Sequence, residues 1–158
     1  MEKVVLPNDV VLGEAARLLA EGHEVVVLPK GRSMLPFIRE NEDRVVLNSP
    51  KGLKVGNIVL AHFGGRFVLH RIIAINNDQV TLMGDGNIQG TEQGRREEVV
   101  GIVTDIITPK GRHRKPTRGW LWRKLLPIRK YLLKIYRKWN KLKNKIHTPL
   151  NPSLNLKS

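Results

Sequence analysis

Asn57-Ile58-Val59-Leu60-Ala61 and Arg66-Phe67-Val68-Leu69-His70-Arg71-Ile72-Ile73-Ala74-Ile75 are two β-rich runs separated by Gly64-Gly65. Both are short, rich in branched side chains and bounded by turn residues, which is the pattern of strands. Working outward, Glu24-Val25-Val26-Val27-Leu28 and Arg44-Val45-Val46-Leu47 are similar runs upstream. Val80-Thr81-Leu82-Met83 and Val99-Val100-Gly101-Ile102-Val103 follow downstream. Asn48-Ser49-Pro50-Lys51-Gly52 and Asn76-Asn77-Asp78 punctuate the gaps. Six such runs predict a mainly β core, either a folded sheet or a barrel. Before them, residues 8–22 read as a short helix, with Asn8 or Asp9 as its cap and Glu21-Gly22 at its end. Its predicted apolar face is Val10, Val11, Ala15, Leu18 and Leu19.

Charge divides the chain. Residues 1–107 hold 12 Lys/Arg against 14 Asp/Glu, a net of −2, whereas residues 108–158 hold 16 Lys/Arg and no acid. All three Trp and both Tyr also fall after residue 119. The predicted organisation is therefore a β core with its helix over 1–107 and a basic linker over 108–118. A basic amphipathic helix over 119–147 and a disordered tail over 148–158 complete it. The chain has no cysteine, so disulfides and thiolate chemistry are excluded. The first residues lack the basic-then-apolar pattern of a signal peptide, and no long uncharged run predicts a membrane span. A cytoplasmic or peripherally membrane-associated protein is expected.

One loop holds a hydroxyl in a constrained setting: Gly31-Arg32-Ser33-Met34-Leu35-Pro36, between two strands. Taken alone, Ser33 reads as a turn serine, because a serine nucleophile needs a base within hydrogen-bond reach. The rest of the chain supplies the context. Ser33-Met34-Leu35-Pro36 resembles the Ser-Met-x-Pro nucleophile box of the signal peptidase/LexA-like serine peptidase clan. Further resemblances follow in the clan's order: Asn41-Glu42-Asp43-Arg44-Val45-Val46, Gly56-Asn57-Ile58-Val59, Val68-Leu69-His70-Arg71-Ile72 and Met83-Gly84-Asp85-Gly86-Asn87. Together they span roughly residues 24–105.

The resemblance implies Ser33 as nucleophile and His70 as general base, as in the endoplasmic-reticulum type, where a histidine before Arg replaces the bacterial lysine. Imidazole titrates near neutrality without the large burial-driven shift that a lysine base requires. Asp85 matches the clan's acidic residue, expected to orient the histidine, with Glu92 as a second acid at a comparable distance. Gly31, Arg32, Met34 and Pro36 are the expected oxyanion and substrate-positioning residues. Three departures stand out: Gly31 replaces the usual hydroxyl donor two residues before the nucleophile, Asn57 replaces an Asp, and no Asp-Asp pair follows residue 84. With Gly31 in place, the Ser33 backbone N–H is the first candidate oxyanion donor. Arg71 reads as structural. The remaining histidines (His23, His62, His113, His147) lack metal-ligand spacing, and no Gly-rich phosphate loop is present, so neither metal nor cofactor is expected.

The implied activity is endoproteolysis of a precursor or leader peptide through an acyl-enzyme. The alternative is a weakened peptidase fold serving as a binding module, tethered by its basic helix. That helix has three readings: an anionic membrane surface, nucleic acid, or packing on the core. Its continuous apolar stripe, with Trp120, Trp122, Tyr131, Tyr136 and Trp139, favours the membrane surface, because phosphate binding needs the charges alone.

Overall fold

In a computed structural model that describes residues 8–146, the stretch Asn8–Ala20 forms helix α1. The helix ends at Gly22, whose φ of 87° lets His23 N–H reach the Leu18 carbonyl and Gly22 N–H reach that of Leu19. This is a Schellman arrangement, and glycine adopts its left-handed residue without a steric penalty. The buried face of α1 is Ala15 and Leu19, with Leu12 packed beside them. Val10 and Val11, expected on that face, are exposed. Leu12 is the inward residue, three before Ala15 and seven before Leu19, the spacing of a single helical stripe.

The β-rich runs form β1 (Val25–Val27), β2 (Arg44–Asn48), β3 (Ile58–Phe63), β4 (Arg66–Asn76), β5 (Gln79–Met83) and β7 (Val99–Ile107). Two further strands, β6 (Glu92–Arg95) and β8 (His113–Arg114), have no apolar run to announce them. All pairings are antiparallel, in the order β1-β2-β7-β3-β4-β5-β6, with β8 beside β7, and the sheet curls into a half-barrel. The mainly β expectation therefore holds. Gly64 and Gly65, both at positive φ, close the β3–β4 hairpin between Phe63 and Arg66. A two-residue turn of this hand matches the twist of the strands it joins. Register shifts at Val46/Leu47, Leu60/Ala61 and Ile72/Ala74 mark bulges that bend the sheet.

β3 shows how the sheet is filled. Ile58 and Leu60 face one apolar cluster, with α1, Met34, Ile38, Val45 and Ile106, while Val59, Ala61 and Phe63 face a second, with Ile72, Val80 and Leu82. Alternation along a strand buried on both sides places a core on each face of the sheet.

The basic segment after β7 belongs to this body. Arg114 donates to the Phe37 carbonyl and to Asp43, and Arg71 donates to the Thr117 carbonyl. α2 (Trp120–Lys124) and α3 (Leu126–Ile146) follow, separated at Leu125. The single helix expected over 119–147 is thus two, broken at Leu125. Pro127 lies in the first turn of α3, where its missing N–H costs no helical bond. The expected tail over 148–158, the last residue of the expected 119–147 helix and the N-terminal stretch read for a signal peptide lie outside the described residues. Among the described residues no helix is long and apolar enough to cross a membrane.

Candidate functional site

The Ser33 turn is held from three sides. Leu35 N–H donates to the Arg32 carbonyl, and Phe37 and Ile38 N–H both donate to that of Met34, so residues 32–38 coil into one tight turn with a cis Leu35–Pro36 bond. Met34 is buried in the first apolar cluster, which pins the turn from below. Glu40 closes its mouth, accepting from Gly31 N–H at 3.1 Å and from Arg32 Nε at 2.7 Å. The Arg32 guanidinium holds the Glu40 carboxyl below its ordinary range. Of the four residues expected to position oxyanion or substrate, Gly31 and Arg32 are therefore engaged with Glu40, Met34 is core, and Pro36 shapes the turn. Asp43 fastens the far end, accepting from Arg39 N–H, its guanidinium and Arg114. Burial pushes the Asp43 carboxyl up, but Arg39 and Arg114 outweigh it and hold it below its ordinary value.

The third side is the loop after β5. Gly86 N–H donates to the Ser33 carbonyl at 2.7 Å. A Cβ on Gly84 would lie 2.4 Å from the Ser33 carbonyl oxygen, and one on Gly86 would lie 2.5 Å from that of Arg32. At Gly84 and Gly86 the two loops meet backbone to backbone, an approach that leaves no room for a Cβ. Gly84→Ala is accordingly expected to destabilise the chain by about 1–3 kcal/mol through forced backbone displacement. Gly13→Ala is the control: nothing lies within 4 Å of its Cβ site in the middle of α1. It is expected to stabilise by about 0.5–1 kcal/mol. Urea unfolding of the two variants measures both, and equal effects would contradict the described loop contact.

β4 carries the histidine. Its residues His70, Arg71 and Ile72 are buried, and His70 lies opposite Val59 of β3. Glu92, the first residue of β6, lies opposite Leu82 of β5, which in turn lies opposite Ile72. His70, two residues before Ile72, thus shares a face with Glu92. Its Nδ1 is 2.7 Å from Glu92 Oε2. A carboxylate only accepts, so the contact is assigned as His70 Nδ1–H donating to Glu92, which in a neutral imidazole leaves Nε2 as the acceptor. Arg66 lies 3.7 Å from the other Glu92 oxygen.

Asp85 is elsewhere. Arg71 Nε and Nη2 donate to its two carboxylate oxygens at 2.8 and 2.7 Å, with Arg71 fully buried and Asp85 2% exposed. The expectation that Asp85 orients His70 is therefore corrected: both of its oxygens are taken by Arg71, and the acid touching the histidine is Glu92. Arg71, read as structural, also donates to the carbonyls of Gly56 and Thr117, tying three separate segments to β4. Trp122 Nε1 donates to the Asp85 carbonyl at 2.8 Å, so α2 braces the same loop.

Ser33 and His70 line one cavity of about 150 Å³, with Pro29, Lys30, Phe67 and Leu69 among its walls. No protein group is bonded to the Ser33 hydroxyl or its N–H among the described residues. A second depression of about 70 Å³ adjoins it, sharing Pro29, Lys30, Phe67 and Leu69 and adding Leu12, Val27 and Leu60. The two run along the gap between residues 27–30 and residues 67–70. Residues 66–70 of β4 pair with β3 on one side, and the β5 ladder starts only at Arg71, so their other edge is open. Among the described residues no group of three or more His, Asp or Glu side chains could hold a metal ion.

No protein-family model matches the chain, and no curated protein matches it.

Proposed function

We propose that this chain is a serine endopeptidase in which Ser33 is the nucleophile, His70 the general base and Glu92 the acid that orients it. The observation that carries the reading is that His70, buried and bonded to the half-buried Glu92, lines the same cavity as Ser33. A hydroxyl, an imidazole with a free Nε2, and a carboxylate on Nδ1 are the three parts of a hydrolytic triad, whatever their order in the chain. The module alternative rests on Gly31, Asn57 and the missing Asp-Asp pair after residue 84. Glu92, at 2.7 Å from His70, fills the role of the missing acid and favours the enzyme.

The chemistry follows from those parts. Ser33 Oγ attacks the peptide carbonyl while its proton passes to His70 Nε2. The oxyanion is met by the Ser33 N–H, in a site where a fixed dipole is worth far more than in water. His70 then gives the proton to the leaving amine, and the acyl group remains on Oγ. Water enters, loses a proton to Nε2, and attacks the ester. The carboxylate product leaves as the proton returns to Oγ. Glu92 stabilises the imidazolium in both halves.

The substrate lies extended along the open edge of β4. Unpaired strand groups at residues 66–70 accept an added strand, and the two depressions receive alternate side chains. Their volumes, about 150 and 70 Å³, are small, so small residues before the cut are preferred. Digestion of a diverse peptide pool, read by mass spectrometry, tests this. Cleavage sites enriched in small residues immediately before the cut are expected. A preference for aromatic or charged residues there would place the substrate elsewhere.

A further inference from the structure

The C-terminal helices present three faces. Toward the core, Arg129 and Leu133 are buried, and Tyr136 and Asn140 border a cavity of about 580 Å³ shared with Arg39 and Glu40. Away from it, Ile128, Tyr131, Ile135, Trp139 and Leu142 recur every three or four residues, and each is between 47% and 66% exposed. Trp120, Leu121 and Leu126 extend the exposed apolar surface to α2. At 100° per residue, Lys130, Lys134, Lys138, Lys141 and Lys145 fall on a ridge between those two faces. Packing on the core, one of the three readings of this helix, thus accounts for one face and leaves the stripe uncovered.

Charge indicates what covers it. Residues 108–158 contain no acid. Lysine ammonium groups sit over the aromatic rings: Lys124 over Trp120 at 4.8 Å, Lys130 over Tyr131 at 5.0 Å and Lys143 over Trp139 at 6.0 Å. At the near end of the stripe, a cavity of about 410 Å³ is walled by Met83, Trp120, Arg123, Lys124, Leu126 and Arg129, with no acid in its lining. The Arg129 guanidinium is buried there, bonded to the carbonyls of Asn87 and Trp122, and forms no direct ion pair with a carboxylate among the described residues. A second copy of the chain would bring like charge to like charge. A nucleic acid would satisfy the lysines and leave the stripe in water.

We propose that the outer face of α2–α3 docks on an anionic phospholipid surface, the stripe entering the acyl boundary and the basic ridge and cavity cations meeting headgroup phosphates. Aromatic rings at headgroup level with lysines beside them suit such a boundary on both its apolar and its charged side. Docking is independent of Ser33 chemistry, so it stands or falls apart from the peptidase reading.

The test is co-sedimentation of the full chain with phosphatidylcholine vesicles and with vesicles that also contain phosphatidylglycerol. Binding to the second set alone is expected. The double variant Ile135→Glu/Trp139→Glu is expected to weaken it by about tenfold or more, with circular dichroism unchanged because both side chains are exposed. Lys134→Gln and Arg123→Gln are each expected to weaken it by about fivefold. Equal binding to both vesicle sets, no binding to either, or binding that needs the lysines but ignores the Glu double variant overturns the proposal. So does complete displacement from the vesicles by a single-stranded oligonucleotide.

Discussion

Asp85→Ala is expected to lower the stability of the chain by about 3–5 kcal/mol, because it leaves the Arg71 guanidinium as an uncompensated charge in the interior. Arg71 is fully buried, and its only carboxylate partner among the described residues is Asp85. The loss does not stop at one ion pair. Arg71 is also the donor that holds the Gly56 and Thr117 carbonyls, and Gly119 lies against its guanidinium, where a Cβ would come within 2.8 Å. Disturbing it loosens the segment that leads into α2 and the loop that backs Ser33. Arg71→Met with Asp85→Leu is expected to recover much of the loss, since replacing both buried charges removes the unpaired group. Urea unfolding of the three proteins measures this. A cost below about 1 kcal/mol for Asp85→Ala, the range of a surface pair, would show that the Arg71–Asp85 clasp is not the interior strut described.

Glu92 is expected to behave in the opposite way: a small effect on stability and a large one on turnover. Its side chain is 20% exposed, so Glu92→Gln leaves no deeply buried unpaired charge. It does change what His70 meets. A glutamine that rotates its amide N–H toward Nδ1 favours the tautomer with the proton on Nε2, which cannot accept from Ser33. A loss of about 10²–10⁴-fold in kcat is expected, the scale seen when a triad's third member loses its charge. His70→Ala removes the base itself and is expected to bring kcat down by about 10⁴-fold or more. Glu92→Asp should retain more activity than Glu92→Gln, because the charge remains. If Asp85→Asn, with its fold intact, costs more turnover than Glu92→Gln, the assignment of the two acids is reversed.

Much of this arrangement was legible in the sequence. The six apolar β runs needed only periodicity and turn residues, and Ser33 and His70 emerged from the order of short motifs around them. Glu92 was legible only as the second candidate acid; its precedence over Asp85 was not. It begins β6, a strand of sequence Glu-Gln-Gly-Arg, which has no apolar alternation to mark it. Its place comes from pairing with β5 and from Gly94, where a Cβ would strike the Phe63 ring at 2.3 Å. Asp85 drew attention because it matches the acidic residue of the clan's box, and its sequence neighbourhood does not reveal the buried cation that claims it. The short strand β8 and the docking of residues 114–122 were hidden for a similar reason. Their contacts run from the Arg114 guanidinium, the Thr117 carbonyl and the Trp122 indole to Asp43, Arg71 and Asp85, partners far away in the chain. Charge composition marked that segment as a linker, yet each of its ties is specific.

The most direct test of the central claim, a Ser33–His70 peptidase, is a mass-spectrometric comparison of one peptide pool digested by the wild type, Ser33→Ala and His70→Ala. Each digestion is run with and without anionic vesicles. The expected result is a set of wild-type cleavages that is absent from both variants. Cleavages that survive Ser33→Ala, or a wild type that cuts nothing under either condition, would contradict it.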